Sequence, residues 1–185
     1  MPLQEIWTRE VYSGKFLKVN ESLLEWWKSW EYLSREWNQQ VVAWLLRHKE
    51  NGSFIIIEQY RYPVKQKVIE LVAGIQDKKD LSPEEHMREE VIEETGYRKI
   101  EEINFLAETS GSAGSTSETA LLYDVEVSGK RWQQNLEESE DITVLEIPKK
   151  EILHFIESRA KNWQIIDPKI CMALYMTLWK IWNIL

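Results

Sequence analysis

The chain has 185 residues, 43% apolar and 29% charged, with a formal net charge of -8 and a single cysteine. That length makes one domain around one buried core, and the acidity excludes a general nucleic-acid binder, which needs a basic face. An internal disulfide is excluded too, and any anionic substrate must be neutralised locally, by metal ions or a few placed arginines.

The first residues carry neither a basic n-region nor an apolar h-region, so no signal peptide is expected and the cytoplasm is the expected compartment. Five of the ten tryptophans, Trp26, Trp27, Trp30, Trp37 and Trp44, crowd the N-terminal third. Leu23, Trp26, Trp27, Trp30, Leu33 and Trp37 recur with helical spacing, and no Gly or Pro interrupts residues 21–37. Residues 41–47 and 54–60 read as strands joined by a turn at Glu50-Asn51-Gly52. Residues 68–73 read as one short strand leading into Gly74. Ser82 suits an N-cap, Pro83 the first helical position, and Glu85 completes a capping box. That helix is expected to run to Thr95, to bury Met87 and Val91, and to end at Gly96 as its C′ residue.

Residues 119–127 and 142–147 read as further strands. Pro148 opens a helix with Ile152, Phe155 and Ile156 on one side, and Asp167-Pro168 opens the last helix. Cys171 falls in its apolar run and is expected to be a buried structural thiol. The run from 171 to 185 is too short to span a bilayer, which makes it a core or interface helix and argues against a membrane partner. Helices interleaved with strands give an α/β architecture.

Glu90, Glu93 and Glu94 stand at i, i+3 and i+4, on one face of the central helix. Like charges that close cost a few tenths of a kcal/mol per pair. A hard divalent cation would offset that cost; a solvated acidic face is the alternative. With Glu70-Leu71-Val72-Ala73-Gly74 ahead of it, the stretch Glu90-Val91-Ile92-Glu93-Glu94-Thr95-Gly96-Tyr97 resembles the signature of the Nudix hydrolases. That pattern runs Gly, five residues, Glu, seven residues, then Arg-Glu-U-x-Glu-Glu-x-Gly-U, with U apolar. Counted back from Gly96, Glu90, Val91, Glu93, Glu94 and Tyr97 are in register, and Glu89 fills the arginine position. Counted forward from Gly74, Asp80 fills the first glutamate position, and one extra residue precedes Glu90, read here as a longer loop. Arg88 lies one place early, about 100° around the helix.

Other landmarks resemble the branch that contains the ADP-ribose pyrophosphatases and related nucleoside-diphosphate-sugar hydrolases. They are Gln59-Tyr60-Arg61-Tyr62-Pro63, the run Ser112 to Glu118, Glu137-Glu138-Ser139-Glu140-Asp141-Ile142, and Gln164-Ile165-Ile166-Asp167. The resemblance implies a Nudix α/β/α sandwich with a mixed sheet over residues 41–185. It also implies a small N-terminal β-region, residues 1–40, serving dimerisation and base binding, with Trp30, Tyr32 and Ser34 on one strand face instead of a helix.

The implied function is Mg²⁺-dependent hydrolysis of the diphosphate bond of ADP-ribose and related nucleoside diphosphate sugars, with Mn²⁺ as a substitute ion. Glu90, Glu94 and the carbonyl of Ala73 are the expected metal ligands, and Glu93 a further ligand, direct or through water. Glu140 is the expected base for the attacking water, with Glu138 its stand-in. Arg35 and Arg61 are candidates to grip phosphate, and Gly114 to let a substrate loop approach closely. Glu118 would orient that loop or the sugar, or simply start the next strand. Trp30 is either packing or a platform for the base. His48, His86 and His154 have no metal-like spacing and receive no role. The alternatives are a GDP- or UDP-sugar hydrolase and a non-catalytic nucleotide-sensing module. A homodimer is expected.

Overall fold

The computed structural model describes residues 3–35, 40–76, 81–138 and 140–184. Asp80 and Trp37 lie outside them. Two separate sheets organise the chain. The first is an antiparallel meander of β1 (Glu5–Ser13), β2 (Leu17–Leu24) and β3 (Lys28–Arg35), in that order. Trp30, Tyr32 and Ser34 therefore share one strand face. The helical spacing of the tryptophans was accidental. It is broken at Trp26 and Trp27, which take positive φ values of 64° and 57° at the hairpin tip. Bulky residues rarely adopt that conformation, and both side chains stand out in solvent, 80% and 85% exposed.

The second sheet is mixed. It is built from β4 (Val41–His48), β5 (Phe54–Arg61), β6 (Gln66–Glu70), β7 (Val72–Ile75), β8 (Lys99–Thr109), β9 (Ala120–Ser128), β10 (Ile142–Ile147) and β11 (Ile165–Ile166). β4 runs parallel to β9 along its whole length. It meets β5 only through Leu46 and Arg47, and gives its other half to β7. The expected single strand 68–73 is thus two strands, split at the fully buried Leu71: β6 pairs with β5 and β7 with β4. That split turns Ala73 and Gly74 away from one half of the sheet and toward the other.

Strict alternation assigns side chains to the two faces. Val42, Trp44, Leu46, Ile55 and Ile57 pack with Met87, Val91 and Tyr97 on one side. Ala43, Leu45, Phe54 and Ile56 pack with Ile152, Ile170, Ala173 and Leu174 on the other. Strands buried on both faces read as unbroken apolar runs, and the result is an α/β/α sandwich. α1 (Pro83–Glu90) covers the first face, while α2 (Ile152–Lys161) and α3 (Pro168–Ile184) cover the second. Leu122 sits at zero exposure in the second cluster. Leu122→Ala should cost about 2–5 kcal/mol, read as a lower urea midpoint with an unchanged slope.

β8 has no counterpart in the sequence reading. Register shifts at Ile100/Glu102 and Phe105/Ala107 interrupt its alternation twice, so no clean period of two remains. Cys171 is exposed, not buried. The core stripe of α3 is Ile170, Ala173, Leu174 and Thr177, and Cys171 falls on its far side. No helix among the described residues is long and apolar enough to cross a membrane.

The capping box forms as expected, with Ser82 Oγ accepting from Glu85 N–H and the Glu85 carboxylate accepting from Ser82 N–H. Beyond Glu90, however, the helix continues to Thr95 as a π-turn, Val91–Thr95. A π-turn houses one extra residue in an α-helix. Arg88 and Glu89 are exposed on α1, while Glu90 is half-buried. Gly96 closes the helix at φ 79°.

Candidate active site

A cavity of about 540 Å³ opens where β7, α1 with its π-turn, and the loop before β10 meet. The backbone places its walls. β7 brings Ala73, Gly74 and Ile75; the helix brings His86, Glu90, Glu93 and Glu94; the late loop brings Glu137 and Glu140. β5 and β6 contribute Gln59, Arg61 and Glu70, and Arg35, Glu118, Asp167 and Lys169 complete the lining. Of the residues singled out in the sequence, Ala73, Glu90, Glu93, Glu94, Glu140, Arg35, Arg61 and Glu118 therefore share one cavity. Trp30 and Gly114 are not part of its wall. They bind each other instead, Trp30 Nε1 donating to the Gly114 carbonyl at 3.0 Å. Glu138 and Glu89 are likewise absent from the lining, and Glu89 is exposed on α1.

Eight carboxylates against three cations line this space. Each cation is already engaged. Arg35 pairs with Glu118, Lys169 Nζ with Asp167 at 2.5 Å, and Arg61 with Glu70 through both Nε and a terminal nitrogen. The hydrogen bond to Glu70, working against burial, holds the Arg61 guanidinium above its ordinary pKa. So the fork on Arg61 that the sequence offered to phosphate is spent on Glu70. An anionic ligand cannot settle among so many acids without added positive charge.

Glu94 is the centre of the problem. It is 4% exposed and its Oε2 has no hydrogen-bond partner among the described residues. Burial, then the charges of Glu90 and Glu140, push its carboxyl up to about 9, against the pull of the Ala73 N–H and of Arg61. An orphaned buried carboxylate oxygen beside two further carboxylates is oxygen-only, hard-cation chemistry. Among the described residues no three acidic, His or Cys side chains converge to hold an ion by themselves. Backbone oxygen, water and substrate oxygens would have to complete a shell, as is usual for Mg²⁺ at phosphates. The residues present fit a divalent cation on those terms.

Gly74 keeps Glu90 where it is. A Cβ at Gly74 would lie 2.7 Å from both Cδ and Oε1 of Glu90. Gly74→Ala should leave the melting temperature near wild type, since a flexible side chain can swing away. It should weaken divalent-ion binding by about 10–100-fold, the range for disturbing a ligand's surroundings, measured by Mn²⁺ titration.

Sequence reasoning missed Glu70, His86, Glu137, Asp167 and Lys169. Glu70 and Asp167 were visible, but only as a landmark and a helix cap. His86 lacked metal spacing and was set aside. It is buried, edge-on to Trp44 at 6.4 Å and with Nε2 3.5 Å from Glu90 Oε1. Lys169 gave no signal at all.

No family model matches the chain. It is 30% identical over 151 residues to GDP-mannose pyrophosphatase of Pectobacterium atrosepticum, covering 75% of this chain and 72% of that one. The chain belongs to the Nudix hydrolase family. It is 28% identical over 127 residues to ADP-ribose pyrophosphatase of Bacillus subtilis, a match that covers 68% of this chain and spans 65% of that relative's length. It is also 28% identical over 170 residues to the methanol dehydrogenase activator of Bacillus methanolicus, over 90% of this chain and 88% of that one. The fold matches a crystal structure of an ADP compounds hydrolase with a TM-score of 0.73, 17% identity, and coverage of 99% and 97%.

Proposed function

We propose that this Nudix hydrolase cleaves the diphosphate bond of nucleoside diphosphate sugars, ADP-ribose foremost, giving AMP and ribose 5-phosphate. The observation that carries the proposal is the buried, orphaned Glu94 carboxylate in an acidic cavity whose cations are all engaged. Mg²⁺, with Mn²⁺ as substitute, would be held by Glu90, Glu94 and the Ala73 carbonyl. Bound there, it supplies the positive charge that lets a diphosphate enter and activates a water for attack. Glu93, exposed on the cavity wall, adds a ligand or reaches through water. Glu140 takes the proton from the attacking water. Its carboxylate is held by Glu137 N–H at 3.0 Å. Arg35 and Arg61, with their partners Glu118 and Glu70, steer the phosphates by charge and not as free forks. Trp30, fixed by Gly114, offers its ring to the base.

GDP-mannose pyrophosphatases reach 30% identity or more over about 70% of the chain, which favours a GDP-sugar hydrolase as the second reading. A panel of ADP-ribose, GDP-mannose and UDP-glucose with Mg²⁺ separates them by the nucleotide released. No release from any of them would favour the non-catalytic sensing module.

The N-terminal sheet supports a homodimer acting in the cytoplasm. Every residue of β1 is exposed, Ile6, Trp7, Val11 and Tyr12 among them, and Trp26 and Trp27 project from the β2–β3 turn. Exposed aromatic surface on this scale marks an interface, and a free, exposed Cys171 suits a reducing compartment. Light scattering should give twice the 22.1 kDa chain mass; a monomer mass would rule the dimer out.

A further inference from the structure

Residues 131–137 form neither helix nor strand, yet their hydrogen bonds converge on the C-terminal end of the carboxylate helix. Helix ends leave carbonyls without intrahelical partners, and this extended segment takes up three of them. Trp132 N–H donates to the Gly96 carbonyl and Asn135 N–H to the Glu93 carbonyl, each at 2.9 Å. Gln134 Nε2 donates to the Glu94 carbonyl at 2.6 Å and to the Ile142 carbonyl at 3.3 Å. The strap is anchored at both ends. Trp132 lies between Arg98 and Lys130, 4.7 and 4.3 Å from its ring centre, and Leu136 packs on the core cluster. The Trp132 carbonyl fills the space over Gly96, where a Cβ would come within 2.1 Å.

Gln134 thus joins two elements. One is the helix end that carries Glu94. The other is the first residue of β10, two positions after Glu140. We propose that Gln134 is a positioning residue, whose amide holds Glu94 and Glu140 in one frame so that metal and base face the same water. The bonded Glu94 carbonyl lies within the π-turn, a rare form that recurs at functional sites. The inference rests on the hydrolase reading above. A misplacement of 1 Å in such a constellation can cost about 10²-fold in rate.

The test uses Gln134→Met, which keeps the shape and removes both donors, and Gln134→Lys, which returns a donor that helix-end carbonyls favour. Near-UV circular dichroism and a thermal melt set the folded fraction of each. With Mg²⁺ saturating, Gln134→Met should lose about 10–100-fold in kcat with little change in KM, and Gln134→Lys should recover most of it. Without substrate, Mn²⁺ titration should show affinity falling about tenfold in Gln134→Met. Mn²⁺ affinity within twofold of wild type in folded Gln134→Met overturns the proposal, as does a loss that tracks only the unfolded fraction. If the wild type cleaves no nucleoside diphosphate sugar, the functional reading fails by itself, and the Mn²⁺ titration still decides the role of Gln134.

Discussion

Glu94→Gln is expected to abolish turnover while making the metal-free protein more stable at alkaline pH. The amide keeps the volume but offers a hard cation no charge. Losing several kcal/mol of charge stabilisation, at about 1.4 kcal/mol per tenfold, lowers the rate by roughly 10³-fold or more. The stability gain follows from burial. In the fold the Glu94 carboxyl is pushed up to about 9 by desolvation and by Glu90 and Glu140, whereas unfolded it titrates near 4.3. Between those values the native state holds a proton that the unfolded chain has released. Stability from this group is fully present below about pH 4.3 and drains away as pH rises toward 9, by about 1.4 kcal/mol per pH unit. The glutamine removes that slope. Urea unfolding in EDTA at pH 6 and pH 8.5 checks it: wild type should weaken between the two more than Glu94→Gln does, and saturating Mg²⁺ should narrow the difference. Near-wild-type turnover in Glu94→Gln would remove Glu94 from the metal site.

Much of the arrangement was legible because it is local. The capping box, the terminating Gly96, and Met87 with Val91 on the buried face depend on neighbours within two helical turns, and short-range pattern reading captures such features. The strands at 41–47 and 54–60 were legible because both their faces are buried, which leaves an uninterrupted apolar run. What escaped was decided at long range or by irregular geometry. Residues 68–73, apolar apart from Glu70, suit one strand, and the competition between β4 and β5 for partners splits them at Leu71. β8 is a strand of 11 residues, but two bulges scramble its period.

The π-turn is the most instructive case. Residue counting presumes 3.6 residues per turn, so an extra residue in the pattern had to be placed in the loop, and Glu89 then fell on the arginine position. The π-turn Val91–Thr95 offers a second place for it, inside the helix. Glu90 still faces the cavity, pressed against Gly74, and Arg88 and Glu89 point elsewhere. In the cavity itself, residue type predicted chemistry but not pairing. Arg61 has the fork that phosphate recognition wants, yet Glu70, nine residues later and buried, holds it in both hands.

Glu140→Gln should lower kcat by roughly 10²–10⁴-fold and leave KM within a few-fold of wild type, as expected for a general base that acts on the attacking water. The geometry singles out Glu140 from its acidic neighbours. Glu137 and Glu140 line the cavity and Glu138 does not. Glu137 N–H fixes the Glu140 carboxylate, Glu140 N–H returns a bond to the Glu137 carbonyl at 3.0 Å, and the next residue, Asp141, accepts from Tyr60 N–H at 3.3 Å. A loop tied down at both sides of one residue holds that residue's side chain within reach of the buried Glu94, whose pKa already registers its charge. Glu138→Gln, on the outer side of the same loop, should change kcat by less than about threefold, in line with surface substitutions away from such contacts. The two variants are compared at saturating Mg²⁺. A large loss in Glu138→Gln with none in Glu140→Gln would move the role two residues back.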